Sequence, residues 1–369
     1  MKGPCVWSAP MRPDPLPELG FYGLPGHTDS PADLLQECRD AEELGLGACF
    51  ISERFNVKEA ASLTGAACAV SDRIGVATSV TNHNTRHPLV TAAWSTTLHR
   101  LSGGRFSLGL GRGFDPLFQA IGLRPITMRQ IEDFVGLMRR LWKGETILAH
   151  DGPAGQYGFL RLDERFDEDI PVMLAALGPK TMEWGGGVFD GVMLHTFFTD
   201  QALKECVERI RRGAEAAGKD PASVRVWAVM ATLTDLPESA RLKMLVGRMG
   251  TYLQAYGDAL VTINGWDPKV LTDFRNAPQV QEVRGSIDAV ATPSQLEAIG
   301  ELIPDEWLAA SAVGSPAHVA QRIEDQLAAG ADGVILHAST PAQLAPALEA
   351  YRSIRPADRN AGRSTNPGR

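Results

Sequence analysis

Residues 78–113 read TSVTNHNTRHPLVTAAWSTTLHRLSGGRFSLGLGRG, and no other stretch of the chain is as informative about its fold. A run rich in β-branched residues (74–80) leads into it, and a helix is predicted to begin at Pro88, where the missing N–H costs nothing. The helix ends at Gly103-Gly104, and a second strand (105–110) runs into Gly111-Arg112-Gly113. Strand, helix and strand with short polar joints predict one right-handed crossover unit. Ligands bind at the carboxyl ends of the strands in such folds.

The same alternation of strand and helix continues along the whole chain. The eight predicted strands span residues 18–24, 48–52, 74–80, 105–110, 171–176, 191–196, 224–232 and 333–337. A closed (β/α)8 TIM barrel accommodates them without leaving edge strands. A doubly wound open sheet is the alternative, because eight strands can also lie flat.

Two insertions interrupt this pattern. Residues 144–169 contain two short β-like runs around Asp151-Gly152-Pro153, which predict a hairpin before the fifth strand. Residues 236–311 follow the seventh strand and have helical periodicity at both ends but no clear pattern between. We therefore predict one domain over residues 18–354, an extended proline-rich arm over 1–17, and a disordered tail over 355–369, which lacks apolar content.

Composition excludes several classes of protein. Hydrophobic residues make up 44% of the chain and charged residues 22%, which is ordinary for a soluble domain. The net charge of −8 argues against nucleic-acid binding. There is neither an apolar run long enough for a membrane span nor a recognisable signal peptide. The five dispersed cysteines indicate reduced thiols and a cytoplasmic protein, with Cys38, Cys49 and Cys68 in the core.

Six short motifs carry a family resemblance. They are Thr78-Ser79-Val80, Arg86-His87-Pro88, Leu101-Ser102-Gly103-Gly104-Arg105-Phe106, Gly109-Leu110-Gly111-Arg112-Gly113, Ser52-Glu53-Arg54-Phe55 and Ala175-Ala176-Leu177-Gly178-Pro179. In this combination the chain resembles the bacterial-luciferase-like superfamily of flavin and deazaflavin oxidoreductases, and more closely its coenzyme F420-dependent branch. The resemblance covers roughly residues 18–235 and 312–354. It implies a TIM barrel, hydride transfer between F420 and a small organic substrate, and a homodimer.

The resemblance also implies where the cofactor binds. A non-prolyl cis peptide at Ser79-Val80, followed by Thr81, would form a bulge behind the central ring of the cofactor; an ordinary trans strand end is the alternative. The glycine cluster looks like a dinucleotide fingerprint, but Phe114-Asp115-Pro116 follows it where a helix should begin. The glycines instead allow close approach of a ring. The predicted cofactor-binding residues are Ser79, Val80, Thr81, Gly111, Arg112, Gly113, Ala175, Ala176, Gly178 and Thr196.

Proton transfer requires a side chain within hydrogen-bond reach that has a suitable pKa. The candidates are Glu53 after the second strand, His83 after the third and His195 at the end of the sixth. The alternatives are an ion pair of Glu53 with Arg54 or Lys58, a surface position for His83, and a buried, satisfied His195. His337 has the same ambiguity as His195.

No metal site is expected. His83 and His87 are four residues apart, but His87 precedes Pro88 and pre-proline residues avoid the helical region. The spacing is therefore that of a loop, and it does not place both imidazoles on one face of a helix.

The substrate does not follow from the resemblance. In the deazaflavin-dependent sugar-phosphate dehydrogenases, an acidic residue follows the glycine cluster and a histidine follows the second strand. This chain has Phe114 and Arg54 at those positions. We expect an organic substrate with apolar surface, contacted by phenylalanines of the barrel mouth, and we expect the 236–311 insertion to cover the site. The phenylalanines are Phe55, Phe114, Phe197 and Phe198.

Two other functions stay open. The first is an FMN-dependent monooxygenase that uses reduced flavin and oxygen, because both cofactors would occupy the same pocket. The second is a cofactor-binding protein without turnover, which the presence of Glu53, Arg112 and the histidines disfavours. Hydrolase and kinase motifs are absent from the sequence.

Overall fold

A closed barrel of eight parallel strands forms the centre of the molecule. The computed structural model describes residues 13–26, 30–55, 57–357, 359 and 363–369. Its strands, numbered along the chain, are β1 (Leu16–Tyr22), β2 (Leu46–Ile51), β3 (Gly75–Thr78), β4 (Phe106–Leu110), β5 (Ile147–Gly152), β6 (Gly155–Leu160), β7 (Val172–Ala175), β8 (Gly191–Met193), β9 (Arg225–Thr234), β10 (Ala312–Gly314) and β11 (Gly333–His337). The barrel order is β1-β2-β3-β4-β7-β8-β9-β11, and β11 pairs back onto β1. The predicted (β/α)8 barrel is confirmed, and the open sheet is excluded because the barrel has no edge strand.

Helices follow the barrel strands and cover them. They are α1 (Asp33–Leu44), α2 (Ala60–Val70), α3 (Pro88–Leu101), α4 (Asp115–Ala120), α5 (Met128–Trp142), α6 (Pro179–Val188), α7 (Asp200–Ala216), α8 (Glu238–Arg241), α9 (Arg248–Asn264), α10 (Pro268–Asn276), α11 (Pro278–Gln281), α12 (Ile287–Val290), α13 (Pro293–Gly300), α14 (Asp305–Leu308), α15 (Pro316–Ala328) and α16 (Pro341–Ile354). Short 3-10 turns occupy His83–Thr85 and Pro221–Ser223, and a π-helical turn occupies Leu242–Gly247. None of the helices in the described part of the chain is both long and apolar enough to cross a membrane.

Alternation of side chains along the strands builds two cores. In β2, Ala48 and Phe50 belong to the cluster inside the barrel, while Cys49 and Ile51 pack in the layer between strands and helices. This period of two explains why the strands read as nearly continuous apolar runs. The predicted core positions of Cys38, Cys49 and Cys68 are confirmed, since all three are buried free thiols.

Both predicted insertions are present. Strands β5 and β6 pair as an antiparallel hairpin before β7. The later insertion is helical from α8 to α14 and has an apolar core of its own. Its middle part, where the sequence showed no clear pattern, contains α10 and α11. Each of these helices begins with a proline, and Asp267 caps α10 by accepting a hydrogen bond from the N–H of Lys269.

The prediction of a disordered C-terminal tail is wrong for residues 363–369. This segment lies against the amino-terminal ends of the barrel strands, and Asn366 is buried. The buried Arg225 guanidinium donates to the carbonyl oxygens of Asn366 and Arg369 at 2.8 and 2.7 Å. The Trp227 indole donates to the Pro367 carbonyl at 2.7 Å. The tail is thus held through its own backbone carbonyl groups, and amino-acid composition cannot predict hydrogen bonds of this kind.

The predicted N-terminal arm lies largely outside the described residues, which begin at residue 13. Leu16 and Pro17 belong to β1, so the first strand begins two residues earlier than expected. The remaining tail positions 358 and 360–362 also lie outside the described part of the chain.

Candidate functional site

Two adjoining cavities open at the carboxyl ends of the barrel strands. The cationic cavity, of about 240 Å³, is lined by Tyr22, Arg54, Lys58, Ser79, Arg248 and His337, among others. The apolar cavity, of about 510 Å³, is lined by Val80, Gly111, Phe114, Ala175, Ala176 and Tyr256, among others. Leu194 and His195 line both, so the cavities meet at the end of β8.

The peptide bond between Ser79 and Val80 is cis, as predicted. It lies between the cavities: Ser79 lines the cationic cavity and Val80 lines the apolar one. The Ser79 hydroxyl lies 2.6 Å from the Tyr22 hydroxyl. Opposite it, a Cβ atom on Gly111 would lie 2.4 Å from Cγ2 of Val80, so any larger residue there would require Val80 to shift. Two neighbouring strands, β3 and β4, thus contribute to one wall at the barrel mouth.

The apolar cavity extends from the glycine cluster to the start of α6. Gly113 lines it with a left-handed φ of 69°. Gly178, also in the lining, precedes α6 without a side-chain cap. The N–H groups of a first helical turn and the helix dipole favour an anion at such a position. The predicted residues Ala175 and Ala176 also line this cavity.

Arg112 lies at the rim of the apolar cavity with 46% of its side chain exposed. Its Nε donates to the Ile126 carbonyl at 2.8 Å, and Nη2 lies 3.5 Å from Asp115. The expectation that no helix begins after the glycine cluster is wrong, since α4 starts at Asp115. Pro116 lies in its first turn, where proline is favoured.

Glu53 and Thr81 line neither cavity, contrary to prediction. The Glu53 carboxylate, 1% exposed, accepts hydrogen bonds from the first N–H of α2, from the Thr81 hydroxyl at 2.9 Å and from Arg86 at 2.7 Å. Its ionic partner is Arg86, not Arg54 or Lys58. The network ties the loops after β2 and β3 together, so Glu53 is a positioning residue.

His83 also lies away from the barrel mouth, which corrects its predicted position. The 3-10 turn that it begins directs its ring against Phe134, with centroids 5.6 Å apart, and it lines a separate cavity beside the β5–β6 hairpin. Burial lowers the pKa of His83 to about 4. Its distance from the two mouth cavities removes it from the candidates for proton transfer.

His195 is the predicted acid–base candidate that reaches the mouth. Its Nδ1 lies 3.2 Å from the Thr196 carbonyl, an acceptor, which places the ring proton on Nδ1 and leaves Nε2 unprotonated. The ring packs edge-on against Tyr252 and Tyr256 of α9, with centroids 4.5 and 5.7 Å away. Burial lowers the pKa of His195 to about 4, so the imidazole is neutral near pH 7. Thr196 beside it is buried and lines the cationic cavity.

Several lining residues were not predicted for the site. Tyr22 at the end of β1 and Lys58 in the loop after β2 had only their position to indicate them. His337 at the end of β11, which was considered together with His195, lines the cationic cavity. The Nδ1 atom of His337 is buried and has no hydrogen-bond partner among the residues that the structure describes. Arg248 and Tyr252 come from α9 in the insertion, for which no motif exists.

Of the four phenylalanines expected in the mouth, Phe114 lines the apolar cavity. Phe197 and Phe198 are buried in the cores, and Phe55 is half-exposed outside both cavities. Within the described residues, no group of three or more histidine, cysteine, aspartate or glutamate side chains is placed to hold a metal ion.

Comparison with known proteins gives consistent matches. The family described as luciferase-like monooxygenase matches residues 17–333. The 5,10-methylenetetrahydromethanopterin reductase of Methanolobus tindarius is 26% identical over 299 residues, which are 80% of this chain and 86% of that protein. The F420-dependent glucose-6-phosphate dehydrogenase of Intrasporangium calvum is 25% identical over 329 residues, covering 84% and 89%.

Solved structures agree on the fold. The coenzyme F420 dependent tetrahydromethanopterin reductase from Methanopyrus kandleri superposes with a TM-score of 0.74 at 21% identity, covering 90% of this chain and 97% of the other. An F420-dependent secondary alcohol dehydrogenase in complex with an F420-acetone adduct gives 0.68 at 20% identity, covering 94% and 100%.

Proposed function

The chain belongs to the luciferase-like monooxygenase family, and from this membership we propose that it is an F420-dependent oxidoreductase. Its relatives include reductases and dehydrogenases whose names state F420 dependence. Such a deazaflavin, when bound, supplies a two-electron hydride carrier. The relatives act on different substrates, so no substrate is carried over to this chain.

The observation that carries the proposal is the wall made by Ser79, Val80 and Gly111 between two adjoining cavities. A flat ring needs an apolar surface to lie against and open space beside it. Val80 and Gly111 supply the surface, and the two cavities supply the space. Ser79, Val80 and Gly111 would hold the ring. Ala175 and Gly178 would hold the tail, whose phosphate suits the start of α6.

His195 would hold or move the proton of the reaction at Nε2. Its Nδ1 proton is held by the Thr196 carbonyl, which fixes the tautomer. Desolvation lowers the pKa of the ring to about 4, so the imidazole is neutral near pH 7 and its Nε2 is open to a proton. The tyrosines of α9 keep the ring in place and reduce its contact with water.

A binding titration tests the proposal. Fluorescence is followed while purified protein is titrated with F420 or, separately, with FMN. We expect F420 to bind more tightly, and we expect Gly111→Ala to weaken its binding by roughly 5- to 150-fold, since overpacking costs roughly 1–3 kcal/mol. Gly136→Ala is the matched control, because a Cβ there has open space around it. Tight binding of FMN with none of F420 would favour the monooxygenase instead.

We also propose that the enzyme is a homodimer, as the family resemblance implies, and that it is cytoplasmic, as the dispersed cysteines indicate. Light scattering on the purified protein checks the mass: twice the 39.7 kDa of the chain supports the dimer, and a monomeric mass contradicts it.

A further inference from the structure

We propose that the cationic cavity binds an oxyanion of the substrate, so that the substrate is a small organic acid, a carboxylate or a phosphate ester. This inference rests on the proposed function, because it assigns the substrate side of the same site. Three cationic side chains line the cavity: Arg54, Lys58 and Arg248. Among the described residues, no carboxylate lines it.

Arg54 and Lys58 are brought together by the loop after β2. The Arg54 N–H donates to the Lys58 carbonyl at 3.0 Å, and the Lys58 N–H returns a bond of 2.8 Å to the Arg54 carbonyl. This tight loop places both side chains at the cavity. Two unlike residues, a planar guanidinium and a compact ammonium, thus converge on one small volume, as in many sites for carboxylates and phosphates.

The side chains of Arg54 and Lys58 donate hydrogen bonds to uncharged backbone carbonyl groups. The Lys58 ammonium is buried and donates to the carbonyls of Gly23 and Leu24 at 2.8 and 3.1 Å. Arg54 donates through Nη1 to the Gly26 carbonyl at 3.0 Å. Counted over the described residues, both cations have more N–H donors than these bonds use. Buried charges are ordinarily paired, and an incoming anion completes the pairing here.

Arg248 on α9 is balanced by Asp288, 2.8 Å away, so it adds donors to the cavity without an uncompensated charge. Glu37 lies near Lys58, but burial raises the pKa of its carboxyl to about 7, which weakens it as a counter-ion. The pKa of Lys58 is lowered to about 8, first by burial and then by the neighbouring positive charge of Arg54.

The rest of the lining suits a small acid. The hydroxyls of Tyr22, Ser52 and Thr196 offer further hydrogen bonds, and Val229 and Leu194 supply apolar surface. Ser79 and His195 line the same cavity, so the remainder of an anion held by Arg54 and Lys58 shares that space with them. A cavity of about 240 Å³ favours a short acid over a long chain.

Isothermal titration calorimetry without cofactor tests the inference. Pyruvate, inorganic phosphate and the neutral pyruvamide are titrated into the wild type, Arg54→Gln and Lys58→Met. We expect at least one of the two anions to bind the wild type and pyruvamide not to bind. Each substitution should weaken anion binding by at least about tenfold, since a charged hydrogen bond is worth roughly 1.5–3 kcal/mol. Whichever anion binds more tightly identifies the class.

Lys243→Met is the control for loss of a lysine charge, because Lys243 is exposed on the insertion that carries Arg248 and lines neither mouth cavity. If burial makes Lys58→Met unfold, the half-buried Arg54→Gln carries the test alone, with circular dichroism to show its fold. Absence of anion binding, or anion binding that both variants retain, overturns the inference.

F420 titrations of the same proteins separate this inference from the proposed function. If F420 binds normally and no anion binds, the inference about the substrate is wrong and the proposed cofactor stands. If an anion binds and F420 does not, the proposed cofactor is wrong and the anion site stands. Variants that lose F420 binding but keep anion binding place the cations on the cofactor, which overturns the inference.

Discussion

The histidines of the barrel mouth and its surroundings couple the stability of the fold to pH. Burial lowers the pKa of His83 and His195 from the usual 6.5 to about 4, and that of His337 is also lowered by burial and by nearby cations. Between pH 6.5 and pH 4, these histidines therefore bind protons in the unfolded state but stay largely neutral in the folded state. The stability from neutral imidazoles is fully present above pH 6.5 and is lost as the pH falls towards 4.

We accordingly expect the urea midpoint to fall steadily between pH 7 and pH 4.5, with a smaller fall in His195→Phe. The exposed His318→Gln is the control and should behave as the wild type. An acid-independent midpoint for the wild type would contradict the buried, neutral state of these rings.

His195 has a second prediction, for catalysis. His195→Asn should lower kcat by about 10²–10⁴ because it removes the proton-transfer group, while the Kd of F420 stays within about threefold. Stopped-flow absorbance of the deazaflavin, once a substrate is found, measures the first quantity and fluorescence titration the second. Equal kcat values for the variant and the wild type would assign the proton to another group, and His337 would be the next to test.

At the scale of single residues, local sequence predicted which side chains lie at the barrel mouth better than it predicted which side chains pair with each other. The ends of β3, β4 and β8 placed Ser79, Gly111 and His195 at the mouth correctly. Glu53 was misassigned because its partner Arg86 lies 33 residues further along the chain. No spacing rule links residues so far apart, and the pairing exists only once β2 and β3 are adjacent.

At the scale of elements, α9 closes the mouth. It contributes Arg248 and Tyr252 to the cationic cavity and Ala255, Tyr256 and Ala259 to the apolar one. Sequence predicted a helix here and a cover over the site, but not which of its faces meets the barrel. The helix has a weakly amphipathic pattern because it is packed on more than one side, so periodicity did not separate lining from core residues.

Filling the apolar cavity from α9 tests this arrangement. Ala255→Phe should weaken F420 binding by about tenfold or more, because the larger side chain occupies space assigned to the cofactor. Thr262→Phe is the matched control, since Thr262 is exposed on the same helix. Equal F420 affinities for the two variants, measured by fluorescence, would show that α9 does not border the bound cofactor.

At the scale of the whole molecule, the chain closes its barrel from both ends. The insertion covers the carboxyl ends of the strands, and residues 363–369 cover the amino ends through Arg225 and Trp227. Sequence predicted the barrel because strand and helix alternate locally. It missed the tail because a polar segment bound through backbone carbonyls reads as a disordered one.

Deleting residues 364–369 should lower the melting temperature and leave F420 binding intact, because the tail lies at the opposite end from the mouth. The loss of partners for the buried Arg225 is expected to cost about 1–3 kcal/mol. Differential scanning calorimetry measures the effect, with Thr365→Ala as a mild control. An unchanged melting temperature would show that the tail is not docked in solution.

We propose above all that Ser79, Val80 and Gly111 form the wall against which a deazaflavin ring lies. A crystal structure of the protein with F420 tests it most directly. The ring should lie against these three residues, with its tail directed to Ala175 and Gly178 at the start of α6. F420 bound elsewhere, with both mouth cavities empty, would contradict the account.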